Sequence, residues 1–224
     1  MSDRIYLDFN ASTPVDPVVA IAMTKYFIES YGNPSSLHWA GVTAKDAIEN
    51  ARSQVASLLQ CDATEIVFTS GGTESNNFAI KGLYFANRES TSPFHIITSQ
   101  IEHPSVIEPC CFLEKVGAEV TRLPVDGYGI VSPDDVRRAI RPYTALISIM
   151  HANNEVGSIQ PIAEIASIAR DRNVLCHTDA SQSVGKIVVD VESLGVDLLS
   201  IAGHKLYAPK GVGEIGRSSC RERV

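Results

Sequence analysis

The sequence contains no apolar run approaching the roughly 20 residues that a membrane-spanning helix requires, so a membrane-embedded protein is not expected. It also lacks positive charge. Its 19 lysines and arginines against 26 aspartates and glutamates leave a net charge of −7 and a pI near 5.3, whereas a nucleic-acid or anionic-membrane surface needs a basic patch. The five cysteines, Cys61, Cys110, Cys111, Cys176 and Cys220, show neither paired metal spacing nor a disulfide framework. That usage fits a reducing compartment, with Cys110, Cys111 and Cys176 expected as buried, inert thiols. The opening MSDRIYLDFN lacks the basic start and apolar core of a signal peptide, so a cytoplasmic setting is expected. No internal repeat, low-complexity run or interdomain linker is found.

What is present is globular: 224 residues, 44% of them hydrophobic, are enough for one large domain or two small ones. Ile5–Pro17 reads as a short strand running into a proline-punctuated segment, Val18–Ser30 as a helix and GNPSS at Gly32–Ser36 as a loop. Val42–Leu59 carries Ala44, Ile48, Ala51, Val55 and Leu58 at the spacing of a helix with one buried face. Strand and helix signals then alternate: strands at Glu65–Ser70, His95–Ser99, Glu119–Val125, Thr144–Met150, Val174–Ala180 and Asp197–Ala202, and helices at Thr73–Asn87, Pro104–Val116, Pro133–Ile140 and Ile162–Arg170. Strands that are apolar on both faces and alternate with helices predict an α/β fold, a mostly parallel sheet with helices on both faces.

In such a sheet, ligands bind beyond the carboxyl ends of the strands. The segments following the strands are SGGTES (70–75), EHPS (102–105), HANNEVG (151–157), DASQS (179–183) and GHK (203–205), all polar and all expected on one rim. Gly72 and Thr73 open a helix and suit an anion at its N-terminus, although a lone GGT is more simply a helix cap. Asp179 ends an apolar strand, where a buried carboxylate wants a cation or a proton donor; in isolation it is an ordinary turn residue. His103 suits stacking on a flat ring or proton transfer, or a structural role. Asn153, Asn154 and Gln182 offer amide hydrogen bonds, while His38, Trp39 and His151 read as loop and packing residues. Lys205, delivered just past a buried strand end at Gly203-His204, suits a Schiff base with an aldehyde, though most lysines past strands are simply solvated. Each signal is weak alone. A phosphate cradle, an aspartate for a ring nitrogen, a stacking histidine and an amine for an aldehyde, all at the same strand ends, describe a pyridoxal-phosphate site.

The motifs YLDFNASTP, GNPSS, FTSGGTESNN, EHPSV, MHANNEVG, HTDASQSVGK and SIAGHKLYAPKG resemble those of the class V aminotransferase family, specifically the cysteine desulfurases, over Ile5–Gly213. The resemblance implies the large domain of a fold type I pyridoxal-phosphate-dependent transferase at 16–213, with residues 1–15 belonging to a smaller domain. It implies that Lys205 bears the cofactor's Schiff base, Asp179 pairs with the ring nitrogen, Gln182 bonds the ring hydroxyl and His103 stacks and moves protons. Asn154 would sit beside the cofactor and the substrate carboxylate, while Gly72, Thr73 and His204, with Gly203 in the same turn, would hold the phosphate. Many relatives have serine where Ala202 stands, which removes one phosphate hydrogen bond.

The implied reaction converts L-cysteine to L-alanine and an enzyme persulfide for iron–sulfur cluster or thiolation pathways, in a homodimer serving a sulfur-acceptor or scaffold protein. A selenocysteine lyase or another class V aminotransferase is the alternative enzyme, and a non-catalytic truncated product that binds a full-length relative is the alternative of another kind. None of the five cysteines matches the family's nucleophile, and relatives continue into an apolar strand after Gly213. Here the chain reads EIGRSSCRERV (Glu214–Val224), a polar, basic stretch expected to form neither strand nor helix and similar to translated sequencing adapter. A truncated reading frame with a non-native tail at 214–224, unable to release sulfur efficiently, is the expectation.

Overall fold

The computed structural model describes residues 4–87 and 93–217. Seven strands form one sheet in the order β1-β7-β6-β5-β4-β2-β3: β1 Ile66–Thr69, β2 His95–Ser99, β3 Glu119–Leu123, β4 Thr144–Ser148, β5 Leu175–Asp179, β6 Leu198–Ala202 and β7 Gly213–Arg217. The pairs β3–β2, β2–β4, β4–β5 and β5–β6 are parallel. The helices are α1 Pro17–Ile28, α2 Trp39–Leu59, α3 Gly72–Ala86, α4 Pro104–Lys115, α5 Pro133–Ala139, α6 Ile162–Asp171 and α7 Val191–Leu194. None among the described residues is long and apolar enough to cross a membrane.

Burial on both faces explains the near-continuous apolar strands, because crossover helices cover a parallel sheet from both sides. Adjacent residues of β2 divide between the layers. Ile96 packs with Ile80 of α3, Val106, Cys110 and Leu113 of α4, and Leu146. Ile97 joins Val136 of α5, Ile165 and Ala169 of α6, Ile147, Cys176 and Leu199. Local signals set the helix starts: Asp16 caps α1 by accepting from Val18 N–H (2.8 Å) with Pro17 in the first turn, and Pro104 opens α4 behind His103.

The structure corrects four expectations. Residues 4–16 form no strand; they are mostly exposed, and tertiary bonds from Thr13 and Asp16 to the segment after β6 hold them instead of a sheet partner. The buried side of α2 is Gly41, Ala44, Ala56 and Leu59, whereas Ile48 and Leu58 are exposed by 37% and 52%, because only the last turns of this helix, at Val55, Ala56 and Leu59, join the main core, while Ile48 lines a groove shared with α1 and Leu58 a separate one beside residues 184–189. Cys111 is half-buried and accepts from Arg122 Nη2 (3.4 Å), while Cys110 and Cys176 are buried as expected.

The fourth correction concerns the residues from Glu214 on. Gly213–Arg217 is a strand, antiparallel to both β1 and β6. The slot between those strands is filled through backbone hydrogen bonds, which any sequence can supply, and Gly213 suits the close approach because a Cβ there would meet Gly71 backbone atoms at 2.4–2.9 Å. The side chains fit less well. Both carboxylate oxygens of Glu214 are buried without a hydrogen-bond partner among the described residues, and burial pushes its carboxyl up to about 8. Residues 218–224, with Cys220, lie outside the described residues.

Candidate active site

The strands β1, β2, β4, β5 and β6 all end on one edge of the sheet. The order reverses between β2 and β4, so the loops there diverge and leave a crevice. A cavity of about 730 Å³ opens at this edge, within the range of small-ligand pockets. It is lined by Gly72, Thr73, His103, Asn154, Asp179, Gln182, His204 and Lys205. Gly203 does not line it; that residue forms the tight turn Gly203–Lys205 that follows β6.

Lys205 and Asp179 share this cavity. Burial pushes the Lys205 ammonium below its ordinary pKa, and the Asp179 charge pulls it partly back. Asp179 is buried and fixed from two sides: Asn76 Nδ2 donates to its Oδ2 (2.7 Å) and Ser181 N–H donates to its Oδ1 (3.0 Å). His103 lies at the N-terminus of α4, where its Nδ1 accepts from Ser105 N–H (3.1 Å). Burial lowers its pKa first, Lys205 lowers it further, and Asp179 opposes them.

At the other wall, β1 passes through Ser70 and Gly71 into α3. Gly71 has φ of +155° and open space where a Cβ would stand, and at Gly72 a Cβ would fill the wall, 3.1 Å from Ala202 Cβ and 3.2 Å from Ser181 Oγ. The first-turn N–H groups of α3 have no intrahelical acceptors, and the helix dipole favours an anion there. Glu74 takes the Ser70 N–H (2.5 Å), a bond that holds its own carboxyl below the usual range. His204, beside Lys205, is also held below the ordinary imidazole value, by burial and then by Lys205, Lys210 and His103.

Several contributors were not anticipated. Asp8, Asn10 and Ala11 of the N-terminal segment reach the cavity, and Gln182 Nε2 donates to Asn10 O (2.9 Å) while Asn10 Nδ2 donates to Asn154 O (3.0 Å). Asn76 stands four residues after Gly72, on the same helix face by spacing, and that interval in GTESN is the available signal. Asn153 ties loops together, accepting from Glu155 N–H and Val156 N–H and donating to Ile101 O. His151 is structural, its Nδ1 2.9 Å from Ser183 Oγ. His177 lies below the site in the sheet, between Ser148 Oγ (2.8 Å) and Ser200 Oγ (3.0 Å), and burial pushes it down to about 4. Of the four described cysteines none lines the cavity, and burial pushes Cys61 up to about 11 and Cys110 up to about 12.

Comparison with known proteins places the chain in a family. Residues 5–222 match the family described as Aminotransferase class-V. The chain is 54% identical over 215 residues to the cysteine desulfurase IscS of Dictyoglomus turgidum, covering 96% of this chain and 54% of that protein. It is 53% identical over 211 residues to the cysteine desulfurase IscS of Methanosarcina thermophila, covering 94% of this chain and 52% of that protein. The chain thus spans about half the length of these relatives. A solved structure described as SspA in complex with cysteine superposes with a TM-score of 0.93 at 44% identity, over 97% of this chain and 62% of that one.

Proposed function

The chain belongs to the class-V aminotransferase family, and from that premise we propose that it is the cofactor-binding portion of a pyridoxal-phosphate-dependent cysteine desulfurase. The observation that carries the reading is that Lys205, a buried Asp179 and the first residues of α3 line one cavity, with the Asp179 charge felt at Lys205. These residues fit the cofactor: room at Gly71 and Gly72 for a phosphate, an aspartate for a ring nitrogen, and an amine whose proton is held loosely.

When bound, pyridoxal phosphate supplies an aldehyde that condenses with amines and a ring that accepts the electron pair of a breaking bond. Lys205 Nζ is the amine that holds the aldehyde. Its lowered pKa raises the fraction present as the free nucleophile. Asp179 would keep a proton on the ring nitrogen, and the bonds from Asn76 and Ser181 hold that carboxylate in place. Gly72, Thr73 and His204 would hold the phosphate, Gln182 would bond the ring hydroxyl, His103 would stack on the ring and move protons, and Asn154 would sit beside the substrate carboxylate.

We assign L-cysteine as substrate because the superposing SspA structure is described with cysteine and the curated relatives carry the desulfurase name. In the same reading, residues 16–213 are the large domain and 1–15 belong to a smaller one. The whole protein is a homodimer serving a sulfur acceptor, and the apolar Ile21, Phe27, Tyr31 and Trp39, exposed near α1 and α2, supply surface for a partner. A cytoplasmic setting is part of the same reading, on the sparse cysteine usage of the sequence. With no described cysteine at the cavity, sulfur transfer needs a thiol from elsewhere. The purified chain given L-cysteine and pyridoxal phosphate is therefore expected to release no more sulfide or persulfide than a Lys205→Ala control; release well above that control would overturn this part of the reading.

A further inference from the structure

His103, Ser105, Asn76 and Asp179 form one continuous hydrogen-bonded chain running from the mouth of α4 to the end of β5. Asn76 Nδ2 lies 2.7 Å from Asp179 Oδ2 and 2.8 Å from Ser105 Oγ. Ser105 Oγ lies 2.7 Å from His103 Nδ1, and Ser105 N–H donates to the same Nδ1 at 3.1 Å.

The direction of every bond follows from its donors. An amide nitrogen carries two protons and no acceptor site, so Asn76 donates one to Asp179 and the other to Ser105. Turned over, Asn76 would set its carbonyl oxygen 2.7 Å from the Asp179 carboxylate, oxygen against oxygen, so the charge fixes the amide. Its Oδ1 has no partner among the described residues, the cost of that orientation. Ser105 Oγ accepts from Asn76 and directs its own proton to His103 Nδ1, where the Ser105 backbone N–H also points. Two donors converge on one ring nitrogen. A proton on Nδ1 would collide with both.

We propose that Asn76 and Ser105 are positioning residues that lock His103 in the tautomer with Nδ1 unprotonated, so that its proton is carried at Nε2. Nε2 makes no hydrogen bond among the described residues, and His103 lines the cavity. An arriving ligand therefore meets His103 as a hydrogen-bond donor, and the ring takes up a further proton only by displacing both Ser105 donors from Nδ1. The groups facing His103 from the packed elements, Lys205 and His204 after β6 and Asp179 on β5, act on its charge; the lock adds to the disfavour of the imidazolium that burial and Lys205 already impose. The inference deepens the reading of His103 as the residue that moves protons, and it rests on that reading.

The test is proton–nitrogen correlation spectroscopy of the ring nitrogens in the purified chain carrying isotope-labelled histidine, with His103 assigned by its absence in His103→Gln. At neutral pH the expected spectrum has a pyridine-type Nδ1 and a pyrrole-type Nε2. Ser105→Ala removes one donor and is expected to lower the tautomer ratio by about three- to tenfold, one hydrogen bond's worth, and to raise the midpoint of the His103 titration; Ser105→Thr restores both. Asn76→Ala frees the Ser105 hydroxyl to turn and lowers the ratio in the same direction. A wild-type Nδ1 that is pyrrole-type or averaged overturns the proposal, whether or not the variants fold, and so does a ratio that Ser105→Ala leaves unchanged. The spectra need no cofactor, so failure of the lock is read separately from failure of the site to bind pyridoxal phosphate, which the absorbance of the loaded chain reports.

Discussion

Thr13 is bonded twice to the same carbonyl: its backbone N–H (2.8 Å) and its hydroxyl (2.9 Å) both donate to His204 O, the residue before the site lysine. The hydroxyl oxygen in turn accepts from Tyr207 N–H (2.9 Å), and Tyr207 has φ of +59°, a left-handed conformation unusual for a tyrosine. A buried threonine from the N-terminal segment thus clamps the turn that carries Lys205.

Thr13→Val keeps the shape and removes the hydroxyl, leaving Tyr207 N–H without its acceptor. The expected cost is about 1–3 kcal/mol of stability, read as a lower urea midpoint, together with weaker pyridoxal-phosphate binding in an absorbance titration. An unchanged binding curve with a lowered midpoint would show that the clamp is structural only.

Gly203 and Gly72 differ in what a methyl group would meet. At Gly203 the added Cβ would stand 2.9 Å from Val212 O, a backbone atom of the segment before β7, so Gly203→Ala must shift the Lys205 turn. It is expected to destabilise by about 1–3 kcal/mol, the ordinary cost of overpacking. At Gly72 the contacts are side-chain atoms at 3.1 and 3.2 Å, so Gly72→Ala is expected to cost less stability but to weaken cofactor phosphate binding. Thermal midpoints and a pyridoxal-phosphate titration on the two variants separate the effects, and equal losses in both would contradict the distinction.

The pH dependence of stability follows from the buried carboxyls and imidazoles. Burial pushes Glu102 up to about 8, although it accepts from Ser99 Oγ (2.6 Å) and from Met150 N–H (3.0 Å), and Glu214 likewise stands at about 8. Raised above their unfolded values, these groups contribute stability that is full below the unfolded pKa and is lost as pH rises through the window up to about 8. His95 and His177 are depressed to about 4, and their contribution is lost as pH falls from the ordinary imidazole value toward 4. The urea midpoint should therefore peak at mildly acidic pH. Glu102→Gln should flatten the fall between about pH 6.5 and 8, above the ordinary imidazole value; a fall of undiminished slope would show that Glu102 does not contribute to it.

Glu214 has no hydrogen bond to either oxygen among the described residues and sits in a buried strand. Glu214→Leu removes an unsatisfied polar group from the interior and is expected to stabilise by about 1–3 kcal/mol. A lower urea midpoint for the variant would mean that the carboxyl finds a stabilising contact in solution.

Most of the fold was legible because strand and helix periods alternate cleanly from Ile66 onward; β2 spans His95–Ser99, the same bounds that the HIITS signal gives. The site residues were legible through position: each follows a strand end, and parallel strands bring those ends together. What stayed hidden depends on contacts between distant segments. Nothing local in Thr13 points to the His204 carbonyl, and Asn76 reads as one more polar helix residue until α3 is laid against β5. The strand at Gly213–Arg217 was missed because its pairing is backbone-driven while its side chains, Glu214 above all, argue against burial. The expected strand at Ile5 fails for the converse reason, since an apolar alternation becomes a strand only beside a partner, and residues 4–16 have none among the described residues.

The central claim is that Lys205, Asp179 and the N-terminus of α3 together build a pyridoxal-phosphate site. Absorbance spectra of the purified chain mixed with pyridoxal phosphate, set beside those of Lys205→Ala, test it most directly. A yellow absorbance band is expected in the wild-type chain, surviving gel filtration and absent from Lys205→Ala. A folded wild-type chain that shows no such band, or a band of equal strength in both proteins, would contradict it.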